Sequence, residues 1–307
     1  MRILVVGAGG VGGYFGGRLA EAGRDVTFLV RPQRAEKLKK DGLQIISSHG
    51  NTTLWPKCVT AADIHNSYDL VLLSVKGYSL ASALQDFAPA VGSDTIILPT
   101  LNGMRHLEQL SGRFGENSVM GGVCLIAAEL DVRERIVQMG DIADLSYGEL
   151  NGSKSARVQS LDTLLQGAGF RAHLSEHIVA DMWQKWVQLA SLGAATCLTG
   201  GNIGQIVAVE RGASLCSAIL DECAAIADSA GFPQNQDVLE RHRTALTGKG
   251  SSLTSSMYRD LKKGASVEVD TILGDLLRHA DKSSLITPLL NATFVQLSIY
   301  QSQRHVA

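Results

Sequence analysis

Apolar residues follow two different rhythms along this chain. In the first half they form short unbroken runs at residues 3–6, 26–30, 70–75 and 95–98. Glycines close the first run, Arg31 the second and Pro99 the fourth, while Asn66-Ser67-Tyr68-Asp69 leads into the third. A helix-like stretch over 10–22, ended by Gly23, separates the first two. Continuous apolar runs alternating with helical segments predict a parallel sheet buried on both faces. The segment 118–147 mixes β-forming residues with charges, which suits antiparallel edge strands. Beyond about residue 174 the rhythm changes to long amphipathic stretches at 177–197, 210–230, 236–246, 252–263, 269–281 and 286–302. Gly200-Gly201, Gly231-Phe232-Pro233 and Ile286-Thr287-Pro288 punctuate them. The fold class predicted is α/β: an N-terminal doubly wound sheet over 1–174, followed by a C-terminal all-helical domain over 175–307.

Composition narrows the classes. A chain of 307 residues has room for about two domains, and 45% hydrophobic residues supply their cores, which excludes a disordered scaffold. A net charge of −2 with no long basic run gives no footing for nucleic acid or an anionic membrane. Cys58, Cys124, Cys197, Cys216 and Cys223 contain no C-x-x-C pair, so reduced thiols and a cytoplasmic location are expected. Eight of the first 23 residues are glycine, which spoils the apolar core of a signal peptide. Residues 186–200 are apolar on balance but too short for a bilayer, which takes about 20. The histidines show no metal-ligand spacing, and His106 and His173 read as isolated surface or turn residues. Cys216 and Cys223 read as core packing along one helix face. Apolar stretches in the helical half would permit a homodimer.

Gly7-Ala8-Gly9-Gly10-Val11-Gly12 fits G-x-G-x-x-G, and it lies between an N-terminal strand and a helix. In that context Gly7 permits a tight turn, Gly9 lets a pyrophosphate approach the backbone, and Gly12 lets helix and strand pack closely. The free N–H groups and the dipole of the helix then face the phosphates. This context makes the predicted sheet Rossmann-like. A selective NAD site places a carboxylate about 20 residues on. Here the second strand runs into Arg31, with Arg34 and Lys37 close behind. A guanidinium there suits a 2′-phosphate, so NADP(H) is the expected cofactor.

Three more residues stand where such a sheet and a helical domain would hold a ligand. Lys76 and Asn102 follow the apolar runs at 70–75 and 95–98, and Lys185 lies on the first long helix of the second half. In order, the glycine motif, Arg31, Lys76, Asn102-Gly103-Met104, Trp183-Gln184-Lys185, Ser255-Ser256-Met257 and Glu268-Val269-Asp270 resemble the ketopantoate reductase family. The resemblance runs from about residue 3 to 281. It implies NADPH-dependent reduction of 2-dehydropantoate to pantoate in pantothenate biosynthesis, by a Rossmann domain and a helical domain. It also implies that Lys185 is the general acid and Glu268 a catalytic carboxylate that orients substrate. Asn102 would contact both cofactor and the 2-oxo acid, Ser256 would bind the 2-oxo acid, and Lys76 would stand near both nicotinamide and substrate.

These roles suit the chemistry, because hydride arriving at a ketone carbon leaves an alkoxide that needs a proton and positive charge. Each residue also has a plainer reading. Asp181 and Lys185 have the spacing of a surface helix pair, Glu268 follows Lys262 and Lys263 on what reads as a solvated face, and Asn102-Gly103 is a common turn. The family usually carries Asn one and two turns after its lysine; here those positions are Leu189 and Gly193. An apolar Leu cannot pair with a substrate hydroxyl, so the departure touches the substrate more than the reaction class. A reductase for a less polar 2-oxo acid, the same fold run in the oxidative direction, and a non-enzymatic NADP(H) sensor are the alternatives.

Overall fold

The computed structural model describes residues 1–304 and divides into two compact units. The first comprises Met1–Leu101 and His106–Val179; the second comprises Asn102–Arg105 and the described residues from Ala180 on.

In the first unit, β1 (Arg2–Val6), α1 (Gly10–Glu21), β2 (Asp25–Leu29) and α2 (Pro32–Asp41) open the chain. Three short strands follow: β3 (Leu43–Ile46), β4 (Thr52–Leu54) and β5 (Lys57–Val59). Next come β6 (Leu70–Leu73), α3 (Leu80–Phe87), β7 (Ile96–Pro99) and α4 (Arg105–Phe114). The strands β5-β2-β1-β6-β7 form one sheet whose pairs are all parallel. The unbroken apolar runs now have their reason. Ile3 and Val5 of β1 enter one core with Phe15 and Phe28, while Leu4 and Val6 enter another with Leu80 and Phe87. A strand with an apolar neighbour on each face loses the alternation of a half-exposed strand.

The chain then forms β8 (Gly121–Leu130), β9 (Ile136–Gly148), α5 (Ala156–Leu165) and β10 (Arg171–Leu174). β8 and β9 are antiparallel, as their composition predicts. They are not simply an edge, because β9 also pairs in parallel with β3 and β10 within a second sheet, β10-β9-β3-β4. The partner strands are three or four residues long, too short to show a period. α1 packs against both sheets. A Cβ on Gly16 would meet Phe28 and Val5 at 2.8 Å, and one on Gly17 would meet Ile45 and Leu43 at 2.7 Å.

His106 corrects the surface reading: it is 2% exposed. It shares the inner face of α4 with Leu110, four residues on, where helical spacing brings two side chains to one side.

The second unit is helical, with α6 (Ile178–Thr199) crossing into it after Val179. α7 (Ile203–Ala208), α8 (Gly212–Ser229), α9 (Gln236–Leu246) and α10 (Ser256–Lys262) follow. A five-residue π-helical turn, Asp270–Gly274, leads into α11 (Asp275–Lys282), and α12 (Pro288–Arg304) ends the described chain. Cys216 and Cys223 are fully buried on α8, and burial pushes the Cys223 thiol up to about 12. Among the described residues no helix is long and apolar enough to cross a membrane.

Candidate active site

The glycine loop is shaped by contacts that a side chain would destroy. Gly7 has φ +97°, and a Cβ there would sit 3.2 Å from the Ser74 carbonyl oxygen. A Cβ on Gly12 would come within 2.1 Å of the Gly7 oxygen, so α1 starts this close to β1 only with glycine. One on Gly10 would meet the Ala128 oxygen of β8 at 2.4 Å. Gly9 differs: nothing lies within 4 Å of its Cβ position. It is the N-cap of α1, with no side-chain cap and no acid in the first turn. The N–H groups of Gly10, Val11 and Gly12 therefore lack intrahelical acceptors beside open space. That is the form of an anion cradle.

Two arginines frame this loop. Arg31, at the N-cap of α2, is exposed, and its side chain makes no hydrogen bond or ion pair among the described residues. Arg34 lies one turn on and is committed to the protein. Its guanidinium donates to the Ala8 carbonyl oxygen at 3.2 Å and to the Glu134 carboxylate at 2.7 Å, tying the β8–β9 turn to the loop. Sequence position singled out Arg31; only side-chain direction reveals Arg34 as the residue touching the loop. Lys76 is exposed just after β6, at the start of the 3₁₀ turn Gly77–Ser79. Behind it, Thr100 Oγ1 donates to the Leu73 carbonyl at 3.2 Å and to Ser74 Oγ at 3.0 Å, joining the ends of β6 and β7.

The remaining expected residues all belong to the second unit. Lys185 is half-buried on α6. Glu268 is 5% exposed and immediately precedes the helical turn that begins at Val269, so the solvated-face reading fails. Asn102 is half-buried, and its neighbour Gly103 has φ +78°. A Cβ on Gly103 would lie 2.6 Å from the Thr271 carbonyl oxygen, so the Asn102 loop rests on the π turn that follows Glu268.

Ser255 and Ser256 separate cleanly. Ser255 is buried at the N-cap of α10, where its Oγ accepts from Tyr258 N at 2.9 Å and lies 2.9 Å from Thr196 Oγ1. The Thr196 hydroxyl donates to the Leu192 carbonyl at 2.6 Å, which leaves Ser255 to donate to Thr196. Ser255 thus spends its hydrogen and one acceptor site inside the protein, whereas Ser256 is exposed at the first position of α10. Along α6, Leu189 is half-buried and Gly193 buried on the face of Lys185. Met257 Cε lies 2.9 Å from the position a Gly193 Cβ would take, so a thioether methyl fills the space of the missing side chain. Nothing in the residue pattern announces that replacement of one group by another.

Two family models match this chain: "Ketopantoate reductase PanE/ApbA" over residues 3–152, and its C-terminal counterpart over residues 177–301. The chain belongs to the ketopantoate reductase family. It is an oxidoreductase of that family, with the Rossmann-like and helical units that the family's solved structures share. An uncharacterized oxidoreductase, YkpB of Bacillus subtilis, is 36% identical over 99% of this chain and 100% of its own length. The crystal structure of 2-dehydropantoate 2-reductase from Methylococcus capsulatus is 27% identical, covers 99% of this chain and 97% of its own, and superposes with a TM-score of 0.85. A ternary structure of D-mandelate dehydrogenase with NADH and anilino(oxo)acetate, 21% identical, covers 99% of both chains with a TM-score of 0.89 and shares the ketopantoate reductase fold.

Proposed function

We propose that this chain reduces a 2-oxo acid with NADPH, taking 2-dehydropantoate to pantoate in pantothenate biosynthesis. The observation that carries the reading is the company of Lys185. This half-buried lysine shares one compact unit with buried Glu268, exposed Ser256 and an Asn102 loop packed against the turn after Glu268. NADPH, when bound, supplies the hydride. Gly9 and the uncapped start of α1 fit its pyrophosphate, and partner-free Arg31 fits its 2′-phosphate. D-mandelate dehydrogenase holds NADH; the absence of a carboxylate at the end of β2 supports NADPH for this chain.

The Lys185 ammonium donates a proton to the carbonyl oxygen as the C=O π pair moves onto it, and its charge stabilises the alkoxide that develops. Asn102 and Ser256 offer donors to the substrate carboxylate, and Glu268 fixes the substrate's orientation; exposed Lys76, in the cofactor-binding unit, is the positive charge that the family resemblance sets near the nicotinamide. The product is the 2-hydroxy acid.

A second reading, a less polar 2-oxo acid, is favoured by one specific feature. Leu189, and Met257 packed on Gly193, give the Lys185 face an apolar surface. Both readings are tested by NADPH oxidation with 2-dehydropantoate against a panel of plain and branched 2-oxo acids. Fast turnover of 2-dehydropantoate supports the first reading, and preference for a branched acid supports the second. Lys185→Ala is expected to bind NADPH within about twofold of the parent and to lose most turnover; retained turnover removes Lys185 as the acid. Binding of NADPH without turnover of any acid replaces both readings with a cofactor-binding sensor.

A further inference from the structure

The π turn Asp270–Gly274 opens the helix that continues as α11 to Lys282. Such wide turns are rare and gather at functional sites, because they re-aim the residues at their ends. This one is pinned from two directions. On one side, Gly103 packs against the Thr271 carbonyl. On the other, the buried indole N–H of Trp186 donates to the Ile272 carbonyl at 2.9 Å. Ile272 in turn donates its own N–H to the Glu268 carbonyl at 3.0 Å. A single residue therefore links the Trp186 ring to the backbone of Glu268.

Trp186 is itself immobilised. It is 1% exposed, its ring centroid lies 4.9 Å from that of Trp183, and it meets His279 of α11 edge-on at 5.9 Å. It also adjoins Lys185 in sequence on α6. One helix thus carries the lysine and, through the next residue, holds the carboxylate's backbone.

We infer that Trp186 is a positioning residue, which sets the place of Glu268 relative to Lys185 through the Trp186–Ile272–Glu268 hydrogen-bond chain. The inference rests on the roles proposed above for Glu268 and Lys185. Trp186→Phe keeps an aromatic ring and removes the N–H.

The test measures kcat and KM for the best 2-oxo acid in Trp186→Phe, Glu268→Gln and the double variant, with hydrogen exchange over residues 268–275 alongside. Trp186→Phe is expected to lower kcat/KM about tenfold while leaving NADPH affinity within twofold. In the Glu268→Gln background the same change is expected to cost nothing more, because the group it positions has already been lost. Exchange over 268–275 is expected to quicken about tenfold, with α8 unaffected. Losses that simply multiply in the double variant, or unchanged exchange over 268–275, overturn the inference. Wild-type kcat/KM in Glu268→Gln overturns the proposed role of Glu268 instead, a result separable from the exchange data. Should Phe be too small to keep the fold, β-(3-benzothienyl)alanine at position 186 replaces N–H by sulfur in a ring of the same shape. Unchanged exchange and kcat/KM in that protein overturn the inference equally.

Discussion

Alanine at Gly9 and alanine at Gly12 differ by one methyl group each from the same loop, yet they should fail in opposite ways. Gly9 has φ −84° and ψ −165°, a conformation open to any residue, and its Cβ position has nothing within 4 Å. Gly9→Ala should therefore cost at most about 1 kcal/mol of stability, the loss expected when alanine replaces a favourable N-cap. Its methyl would instead enter the open space that the proposed function assigns to a pyrophosphate. Gly12→Ala would drive a methyl to 2.1 Å from the Gly7 oxygen and 2.7 Å from Ser74 Cβ. Neither backbone nor β6 can give way cheaply, so the loss should reach about 3 kcal/mol, the upper part of the overpacking range. The assay is thermal unfolding with and without NADPH. At about 100 times Kd a ligand stabilises by about 2.7 kcal/mol, or about 5–10 °C for a unit of 150–250 residues. That ligand shift should appear in the parent and vanish in Gly9→Ala, whose unliganded Tm should stay within about 4 °C of the parent. A Gly9→Ala protein that keeps the full NADPH shift would refute the cradle, and a Gly12→Ala protein as stable as the parent would refute the packing argument.

Arg31→Gln should cut the preference for NADPH over NADH by about 10–150-fold, the worth of a charge-assisted hydrogen bond of about 1.5–3 kcal/mol; NADPH and NADH titrations check it. Gly103→Ala meets both a positive φ and the Thr271 oxygen, so it should cost about 2–3 kcal/mol of stability in urea unfolding and reduce turnover. His242 is 6% exposed, and burial, aided by Arg241, holds its imidazole below the usual value of 6.5 against a hydrogen bond to the Gln184 backbone. The unfolded chain then takes up the proton first, so its contribution to stability is whole above pH 6.5 and declines as the pH falls below it. Chemical unfolding at pH 5.5 and 7.5 should show a smaller difference in His242→Gln than in the parent.

The parallel sheet was readable because burial on both faces writes continuous apolar runs into β1, β2, β6 and β7. The second sheet was not, since β3, β4 and β10 are only three or four residues long, below the length at which a period of two declares itself. α7, six residues closed by an Asn202–Gln205 capping box, is hidden for the same reason. The π turn leaves no mark in the sequence, because residues 269–281 keep a helical apolar rhythm through it. Residue identity pointed to Lys185, Glu268 and Asn102 through their resemblance to a family. Direction could not be read that way: which arginine reaches the glycine loop, which serine spends its hydroxyl on a cap, and what fills the space at Gly193 are facts of three-dimensional packing.

The five glycines of α1 also govern when the glycine loop takes shape. In a helix of twelve residues they cost about 4–5 kcal/mol relative to alanine, so α1 has little tendency to form alone. Its stability comes from being gripped between β2 on one side and β3, Ala128 and Ile136 on the others. Residues that begin the chain thus wait for partners more than 100 positions downstream. During synthesis the glycine loop should remain unshaped until the β8–β9 hairpin has emerged, so a segment made early in the unit is one of its last to fold.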